Sequence, residues 1–526
     1  MIGSPGTLIL VTVLLPCLAG VLVLLLGRNP NAREAATLLV GGVTFWHVLG
    51  ILHLVREGER PSLTLLEVVP GVEFAFQVEP LGMVFALVAS FLWPVTSLYA
   101  IGYMRGHHEK NQTRFFFFFA IAIAGALGVA FSGNLFTLFV FYEFLTLCTF
   151  PLVTHHQTEE AKRSGRIYLG ILLTTSVGLQ LVAIIWTWVL AGTLDFRDGG
   201  ILAGTASAGV LGAILVLYVY GVGKAAVMPF HRWLPAAMVA PTPVSALLHA
   251  VAVVKAGVFT VLKLAVYVFG IDLLQTLATT AWLAWAAAAT IILGSLVAFS
   301  KDNLKARLAY STISQLSYIV LGAMLANSLG IIGGGMHIAM HAFGKITLFF
   351  AAGAIMVAAH EKEISRMHGL GRKMPITFGA FLIGSLSIIG LPPAGGAWSK
   401  WFLGMGTLDA GQLGLLCVLM LSSLLGLYYL LEVPVKAFFF APPADGGHHG
   451  HDHGDDHGDG HGDDHGHAHD GADGHDPSAF VIGGLREAPL PSLIAICVTA
   501  AATVALFFWP ELWHELMSAV VSGGAQ

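Results

Sequence analysis

The sequence predicts an all-α polytopic membrane protein, and three observations carry that prediction. Of its 526 residues, 56% are hydrophobic and only 11% are charged, with a mean hydropathy of +0.78. This composition is typical of chains that cross a bilayer many times, and it excludes a large soluble domain between the apolar segments. Apolar segments of spanning length recur along the chain, and basic residues concentrate in alternate connections between them.

About fourteen segments are long enough to span the hydrocarbon core, which takes about 20 residues of helix. They fall near residues 7–26, 35–55, 80–103, 115–132, 135–154, 167–190, 208–229, 243–269, 274–299, 306–326, 329–358, 375–403, 412–440 and 489–509. We interpret the first as a transmembrane helix rather than a signal peptide, because no basic residue precedes it and more spans follow.

The basic residues predict how these helices are oriented. Connections after odd-numbered helices contain 18 lysines and arginines, whereas those after even-numbered helices contain three, Arg56, Arg60 and Arg197. Because cytoplasmic loops are enriched in lysine and arginine, the odd-numbered connections are predicted to be cytoplasmic and both termini to lie outside. The expected location is the cell membrane, the inner one where there are two.

The other five basic residues lie inside the predicted helices, and all are lysines: Lys224, Lys255, Lys263, Lys345 and Lys400. A charge at the bilayer centre costs about 2.5–3.5 kcal/mol on insertion scales, so such residues usually face a bundle interior or a hydrated cavity. Arginine stays protonated under almost any condition, whereas a buried lysine readily loses its proton. The choice of lysine therefore indicates a proton carrier.

Prolines interrupt the chain near two ionisable residues that lie in apolar segments, Lys224 and His249. The interruptions are at Pro229, Pro235, Pro241 and Pro243. Broken helix at membrane depth is tolerated only where protein or water satisfies the freed backbone groups. Broken helix and buried charge together predict an ion path through this region.

Glu143 is the one clear acid deep in a predicted helix, and its own helix offers no basic partner three or four residues away. A partner must then come from another helix, and Lys224 is the predicted one. If they are apposed, each favours the charged form of the other, and separation lets desolvation drive the lysine towards neutrality. The alternative is a purely structural buried ion pair.

His337, His341 and Lys345 recur at intervals of four residues and so share one helix face. We interpret them as a proton relay. The alternatives are packing and a metal site, although no HExxH glutamate and no third ligand lie near the two histidines. The preceding predicted helix contains three serines at intervals of three, which either hold water or bond their own backbone: Ser311, Ser314 and Ser317.

Lys400 follows a second interruption, at Pro392, Pro393, Gly395 and Gly396. Lys224 lies in the seventh predicted helix and Lys400 in the twelfth, five spans later. Because five is odd, two units that contain these helices at equivalent positions would cross the membrane in opposite orientations. This offset predicts two inverted five-helix repeats, helices 4–8 and 9–13, with broken helices 7 and 12. The predicted division is 1–110 for helices 1–3, 111–270 and 271–442 for the repeats, 443–480 for a loop and 481–526 for helix 14.

The predicted loop differs in composition from everything else in the chain. Residues 445–476 include ten histidines, ten aspartates and no lysine or arginine, and without those acids the net charge changes from −5 to +5. We expect this segment to be a disordered cytoplasmic loop. Three roles are open: a linker with incidental metal affinity, metal storage or sensing, and proton collection. The candidate Zn or Ni ligands are His448, His449, His451, His453, His457, His461, His465, His467 and His469.

Four stretches carry a resemblance to a known family: WLPAAMVAPTPVSALLHAVAVVKAGVF, LKARLAYSTISQLSYI, HIAMHAFGKITLFF and GLPPAGGAWSKW. Over about residues 80–440 the chain resembles the antiporter-like subunits of respiratory complex I, membrane-bound hydrogenases and Mrp-type cation/proton antiporters. The resemblance implies 14 helices, inverted repeats and a hydrated proton path along the middle of the bundle. It implies proton-transfer roles for Glu143, Lys224, His249, Lys255, His337, His341, Lys345 and Lys400.

Within this family the chain is most similar to the D-type component of Mrp antiporters, because of Lys255, Lys400 and the absence of a long lateral helix after the last span. We expect a proton-translocating subunit of a multi-subunit Na⁺/proton antiporter, a transporter rather than an enzyme. Its expected partners are other membrane subunits, the lipid bilayer, protons and Na⁺, with no nucleic acid and no cofactor.

The alternative is a proton-pumping subunit of a complex I-like, hydrogenase-type or inorganic-carbon-uptake complex. The four cysteines are scattered singly, with no CxxC pair for a metal or cluster, so this chain is not expected to carry electrons itself. A redox driver would be another polypeptide, and the sequence leaves this alternative open.

Overall fold

The computed structural model describes residues 4–441, 480–482 and 485–523. The first part of the chain forms long apolar helices. They are α1 (Pro5–Leu25), α2 (Pro30–Arg56), α3 (Pro80–Gly106), α4 (Gln112–Ala130), α5 (Leu135–Val153) and α6 (Glu159–Thr175), which continues through a π-helical turn into α7 (Leu181–Ala191). Proline occupies the first turn of α1, α2 and α3, where its missing N–H costs no helical hydrogen bond.

The middle of the chain is more broken. Its helices are α8 (Ala208–Gly221), α9 (Trp233–Ala236), α10 (Thr242–Ala246), α11 (Val253–Leu264), α12 (Ile271–Thr276), α13 (Ala278–Ser300) and α14 (Leu304–Met324). A π-helical turn, Leu247–Val251, joins α10 to α11, and another, Ala265–Phe269, extends α11. The most hydrophobic stretch of this composite helix is buried on all sides, as expected for a helix at the centre of a bundle.

The last third contains α15 (Ser328–Ala359), α16 (Leu370–Lys373), α17 (Pro375–Ile389), α18 (Gly396–Asp409), α19 (Leu413–Phe439), α20 (Leu490–Phe508) and α21 (Glu511–Gly523). Helix α15 packs against α3, α14, α17, α18 and α20. Its glycines allow close approach, since a Cβ on Gly333 would lie 2.7 Å from the backbone nitrogen of Leu403 in α18.

The predicted fold class is confirmed. Eleven helical segments among the described residues are long and apolar enough to cross a membrane. The shorter apolar helices α8 and α17 precede the two predicted interruptions. The tenth predicted segment, near residues 306–326, corresponds to helix α14 in the structure. The total of fourteen spans, the inverted repeats and the division into five segments stay predictions.

The structure corrects the sequence analysis in three places. The seventh segment, predicted to continue to residue 229, ends as a helix at Gly221. Two antiparallel hairpins were not predicted: β1 (Ser62–Val69) with β2 (Val72–Gln77), and β3 (Phe480–Ile482) with β4 (Leu485–Glu487). Helix α21, beyond the last predicted span, was also missed. These elements are shorter than a span, so a search for spanning segments does not detect them.

Candidate ion pathway

Lys224 lies in a 3₁₀ turn, Gly223–Ala225, directly after the end of α8. Its side chain is fully buried, and Nζ donates hydrogen bonds to the carbonyl oxygen of Tyr142 at 2.8 Å and to Oγ1 of Thr146 at 2.5 Å. The Lys224 backbone N–H donates to the hydroxyl of Tyr142 at 3.1 Å. Because the helix is broken here, the backbone and the amine of Lys224 both bind the neighbouring helix α5.

Glu143 follows Tyr142 on α5, so the structure brings Lys224 to the helix of its predicted partner. Both carboxylate oxygens of Glu143 are buried and accept no hydrogen bond within the described part of the chain. The described residues form no ion pair between Glu143 and Lys224, and the lysine amine binds neutral oxygens instead. The arrangement is therefore a lysine close to an unpartnered carboxylate rather than a closed salt bridge.

Lys255 on α11 and His341 on α15 meet in the centre of the bundle, with Nζ 2.7 Å from Nδ1. His249 lies on the π-helical turn before α11, and its ring is 4.8 Å from that of Phe349. Neither ring nitrogen of His249 has a hydrogen-bond partner among the described residues. A buried polar group without a partner costs about 1–3 kcal/mol, which a bound water would relieve.

His337 extends the contacts from His341 towards α18. The two imidazole rings are 5.7 Å apart, and Nδ1 of His337 lies 2.8 Å from Oγ of Ser399. Ser399 directly precedes Lys400 in the chain. The Nε2 atoms of both histidines are buried and have no hydrogen-bond partner among the described residues.

Lys400 lies beside the second helix break. Its Nζ donates to the carbonyl oxygen of Ile389, the last residue of α17, at 3.2 Å and to Oγ of Ser423 on α19 at 3.0 Å. Lys345, one turn beyond His341 on α15, donates to the carbonyl oxygen of Leu308 on α14 at 3.2 Å. Both amines thus use uncharged oxygen acceptors.

The structure places five of these residues in one row across α11, α15 and α18: Lys255, His341, His337, Ser399 and Lys400. Hydrogen-bond distances join Lys255 to His341 and His337 to Ser399. The link to Lys400 runs through Tyr318, whose ring stacks on His337 and lies 4.5 Å from the Lys400 Nζ. Lys224 and Glu143 lie beyond the Lys255 end, where Gly257 of α11 packs directly on the Lys224 turn. Every group in the row can give or accept a proton, and transfer needs hydrogen-bond distance or a bridging water.

The predicted serine face contacts other helices rather than its own backbone. Oγ of Ser314 lies 3.0 Å from Oγ of Ser295 on α13, and Ser311 accepts a hydrogen bond from Tyr429 on α19. Ser317 has a buried hydroxyl without a partner among the described residues. These hydroxyls line the boundary between α13, α14 and α19, near Lys345 and its acceptor Leu308.

One buried ion pair was not predicted. Lys263 Nζ lies 2.6 Å from a carboxylate oxygen of Glu79, and both side chains are almost fully buried. The lysine also donates to the carbonyl oxygen of Ser132 at 2.7 Å. Glu79 immediately precedes Pro80 at the start of α3, so its position in the sequence indicates a loop residue. Only the burial of Lys263 could have signalled that a carboxylate was nearby.

The metal interpretations gain no support from the described residues, which contain no group of three His, Cys, Asp or Glu side chains suited to a metal ion. The candidate metal ligands from His448 to His469 lie outside the described residues.

Comparison with known proteins agrees with this fold. The family model described as "NADH:quinone oxidoreductase/Mrp antiporter, TM" matches residues 132–426, and "NADH-Ubiquinone oxidoreductase (complex I), chain 5 N-terminus" matches residues 70–116. The Mrp complex from Dietzia sp. DQ12-45-1b contains a chain that superposes with a TM-score of 0.80 at 22% identity, covering 98% of this chain and 97% of that one.

Two curated relatives show the breadth of the match. NADH-quinone oxidoreductase subunit N of Desulforudis audaxviator is 34% identical over 72% of this chain and 74% of its own length. Hydrogenase-4 component B of Escherichia coli K12 is 33% identical over 75% of this chain, but the match spans only 59% of that relative. The resemblance inferred from the four sequence motifs is confirmed. This chain belongs to the NADH:quinone oxidoreductase/Mrp antiporter family of multi-pass membrane proteins.

Proposed function

We propose that this chain is the proton-translocating subunit of a multi-subunit Mrp-type antiporter that exchanges Na⁺ for protons. The observation that carries the proposal is the row from Lys255 through His341 and His337 to Ser399, with the Tyr318 ring between His337 and Lys400. Such a row crosses the bundle sideways between three helices. Lateral transfer of this kind suits a subunit whose proton movement is coupled to an ion in a neighbouring subunit.

The chemistry of the proposal rests on lysines that can exist in both protonation states. Lys224, Lys345 and Lys400 contact neutral oxygens, which accept a hydrogen bond from an ammonium and from a neutral amine alike. Desolvation favours the neutral amine, and a nearby carboxylate such as Glu143 favours the ammonium. Small changes in the distance between Lys224 and Glu143 would then switch the lysine between the two states.

The proposed setting is a hetero-oligomeric complex in the cell membrane. The structurally similar chain comes from an Mrp complex, and both relatives described above are named as parts of larger assemblies. We place the connections after odd-numbered spans, including the His-rich loop, in the cytoplasm and both termini outside, following the distribution of basic residues.

A second candidate is the proton-pumping subunit of a redox-driven or inorganic-carbon-uptake complex. Similarity to subunit N and to a hydrogenase component favours it. Mass spectrometry of the purified native complex separates the candidates. Small membrane subunits without redox centres support the antiporter, and iron–sulfur or flavin proteins support the alternative.

Everted membrane vesicles that contain the complex test the proposed function directly. Lys224→Ala and Glu143→Ala should each abolish Na⁺-dependent proton movement, with assembly intact. Lys345→Arg should also lose most of the flux, because arginine keeps the charge but does not release a proton. The control is Lys162→Ala, since Lys162 is exposed and forms a surface ion pair with Glu159. Wild-type flux in either alanine variant would contradict the pairing.

A further inference from the structure

A polar cavity of about 620 Å³ opens at one end of the bundle, outside the row described above. Its walls come from the ends of α3 and α15 and the starts of α6, α10 and α14. These ends all adjoin connections that follow odd-numbered spans, so the cavity lies on the face predicted to be cytoplasmic. Carboxylate, imidazole and amine side chains share its lining: His107, Glu109, His156, Glu160, Lys305 and Lys362.

One wall of the cavity holds what we call the Glu109 cluster: Glu109 with His107, His155 and His156. The carboxylate of Glu109 lies 3.1 Å from His107 Nδ1, 3.7 Å from His156 Nδ1 and 3.9 Å from His155 Nε2. The Glu109 side chain is only 8% exposed, whereas those of His107 and His156 are about one third exposed. A nearly buried carboxylate thus lies beside two imidazoles that solvent can reach and a third, that of His155, which is buried.

The members of the cluster have different roles. Burial lowers the pKa of His155 to about 4, so it stays neutral, and its Nε2 lies 3.0 Å from the carbonyl oxygen of Lys110. Burial alone would raise the pKa of Glu109, but the hydrogen bond with His107 and the three imidazoles outweigh it and place that pKa below its ordinary value. A charged carboxylate favours a proton on an adjacent imidazole. His107 and His156 are the two imidazoles that contact both the Glu109 carboxylate and solvent.

Other charged groups act on the cluster from the surrounding elements. Arg114 of α4 donates to the carbonyl oxygen of His155 at 2.6 Å and opposes positive charge there. Lys362 adds positive charge to the lining of the cavity, and Glu160 and Glu361 add negative charge. Burial lowers the pKa of Lys305 to about 7, so this amine adds positive charge only when it is protonated. Tyr103 stacks on His107 with its ring 5.7 Å away. The Glu109 carboxylate is the acid in direct contact with the imidazoles.

Polar groups continue from the floor of the cavity towards the row. Thr242 lines the cavity and donates to the hydroxyl of Tyr103 at 3.4 Å. On the same helix, the buried hydroxyl of Ser245 and both ring nitrogens of His249 have no partner among the described residues. Positions three and four residues apart lie on one helix face, so these groups point along a common direction. His249 in turn lies near His341 and Lys345.

We propose that the Glu109 cluster is the proton-loading site of this chain, from which protons pass by the hydroxyls of α10 to His249. A proton from water binds His107 or His156, and Glu109 stabilises the resulting positive charge. The proton then crosses the cavity towards the hydroxyls of α10. This inference rests on the proposed proton translocation and adds the place where protons are taken up.

The test is the pH dependence of proton flux in vesicles that contain the whole complex. Glu109→Gln removes the negative charge that stabilises a proton held at the cluster, so the alkaline limb of the flux–pH profile should move to lower pH by about half to one unit. Flux at pH 8 should then fall by about three- to tenfold, with flux at pH 6 unchanged. His156→Gln should shift the same limb in the same direction, and Glu109→Asp should restore the wild-type profile.

Glu159→Gln is the matched control, since it removes the same charge from an exposed position at the start of α6 and should leave the profile unchanged. Assembly of each variant is checked by the yield of intact complex. An unshifted profile in Glu109→Gln, or an equal loss at every pH, overturns the loading site and leaves the proposed function standing. No proton movement in the wild type overturns both.

Discussion

At the scale of single residues, four of the five buried lysines divide into two kinds, and the fifth, Lys255, contacts the imidazole of His341. Lys224, Lys345 and Lys400 place their amines on carbonyl or hydroxyl oxygens, whereas Lys263 contacts the carboxylate of Glu79. A neutral acceptor keeps its hydrogen bond when the lysine loses a proton, but a carboxylate holds the charge in place. The first kind suits proton transfer, and the Glu79–Lys263 pair suits a structural role.

This division predicts the effect of breaking the buried pair. Glu79→Gln leaves the Lys263 ammonium buried without its counter-charge, which should destabilise the protein by about 3–5 kcal/mol. The double variant Glu79→Gln/Lys263→Met removes both charges and should recover most of the loss. Thermal unfolding of the detergent-purified protein measures both. A double variant no more stable than the single one would show that the charge pair is not the cause.

At the scale of elements, the helix break after α8 depends on a close approach by α11. A Cβ on Gly257 would lie 2.4 Å from the carbonyl carbon of Lys224 and from the backbone nitrogen of Ala225. Only glycine lets α11 contact the 3₁₀ turn at this distance, because any side chain would displace the backbone of the turn. The position of the Lys224 amine therefore depends on a residue that carries no functional group.

Gly257→Ala should consequently move the Lys224 turn and lower proton flux by at least about tenfold, since misplaced transfer groups act poorly. The matched control is Gly379→Ala in α17, where an added Cβ meets nothing within 4 Å. In that variant the helix should be unchanged or slightly stabilised, as alanine has the higher helix propensity. Vesicle flux and thermal unfolding are measured for both. Equal behaviour of the two variants would refute the argument.

At the scale of the whole molecule, charge is distributed unevenly between the membrane part and the segment 445–476. That segment alone changes the net charge from +5 to −5, and it lies outside the residues that carry the proposed proton path. The distribution of basic residues predicts that this segment and the Glu109 cluster are on the same side of the membrane. We expect the bundle to assemble without it, because its composition supports no packed core.

Deleting residues 445–476 should accordingly leave proton flux within about a factor of two of the wild type, as insertions between ordered elements are generally tolerated. Binding of Zn²⁺ or Ni²⁺ by the purified protein should fall, because most of the chain's clustered imidazoles are removed. Flux is measured in vesicles and metal binding by calorimetry. A large loss of flux would instead assign proton collection to this segment.

The sequence by itself determined the membrane class, the long helices, the two interruptions and the identity of the buried lysines and histidines. These are local properties, since a span or a buried charge is detectable within a window of about 20 residues. The ordered motifs around Lys224, His341 and Lys400 also established the family.

Only the tertiary structure decided what each buried group contacts. Lys224 meets Tyr142 from 82 positions away, and Lys255 meets His341 from 86. The acceptors at Tyr142, Leu308 and Ile389 are backbone carbonyl oxygens, which every residue carries and which a sequence therefore cannot distinguish. Glu79, beside a proline at a helix start, becomes a buried partner only when α3 and α11 pack together, because burial is a property of the packed bundle.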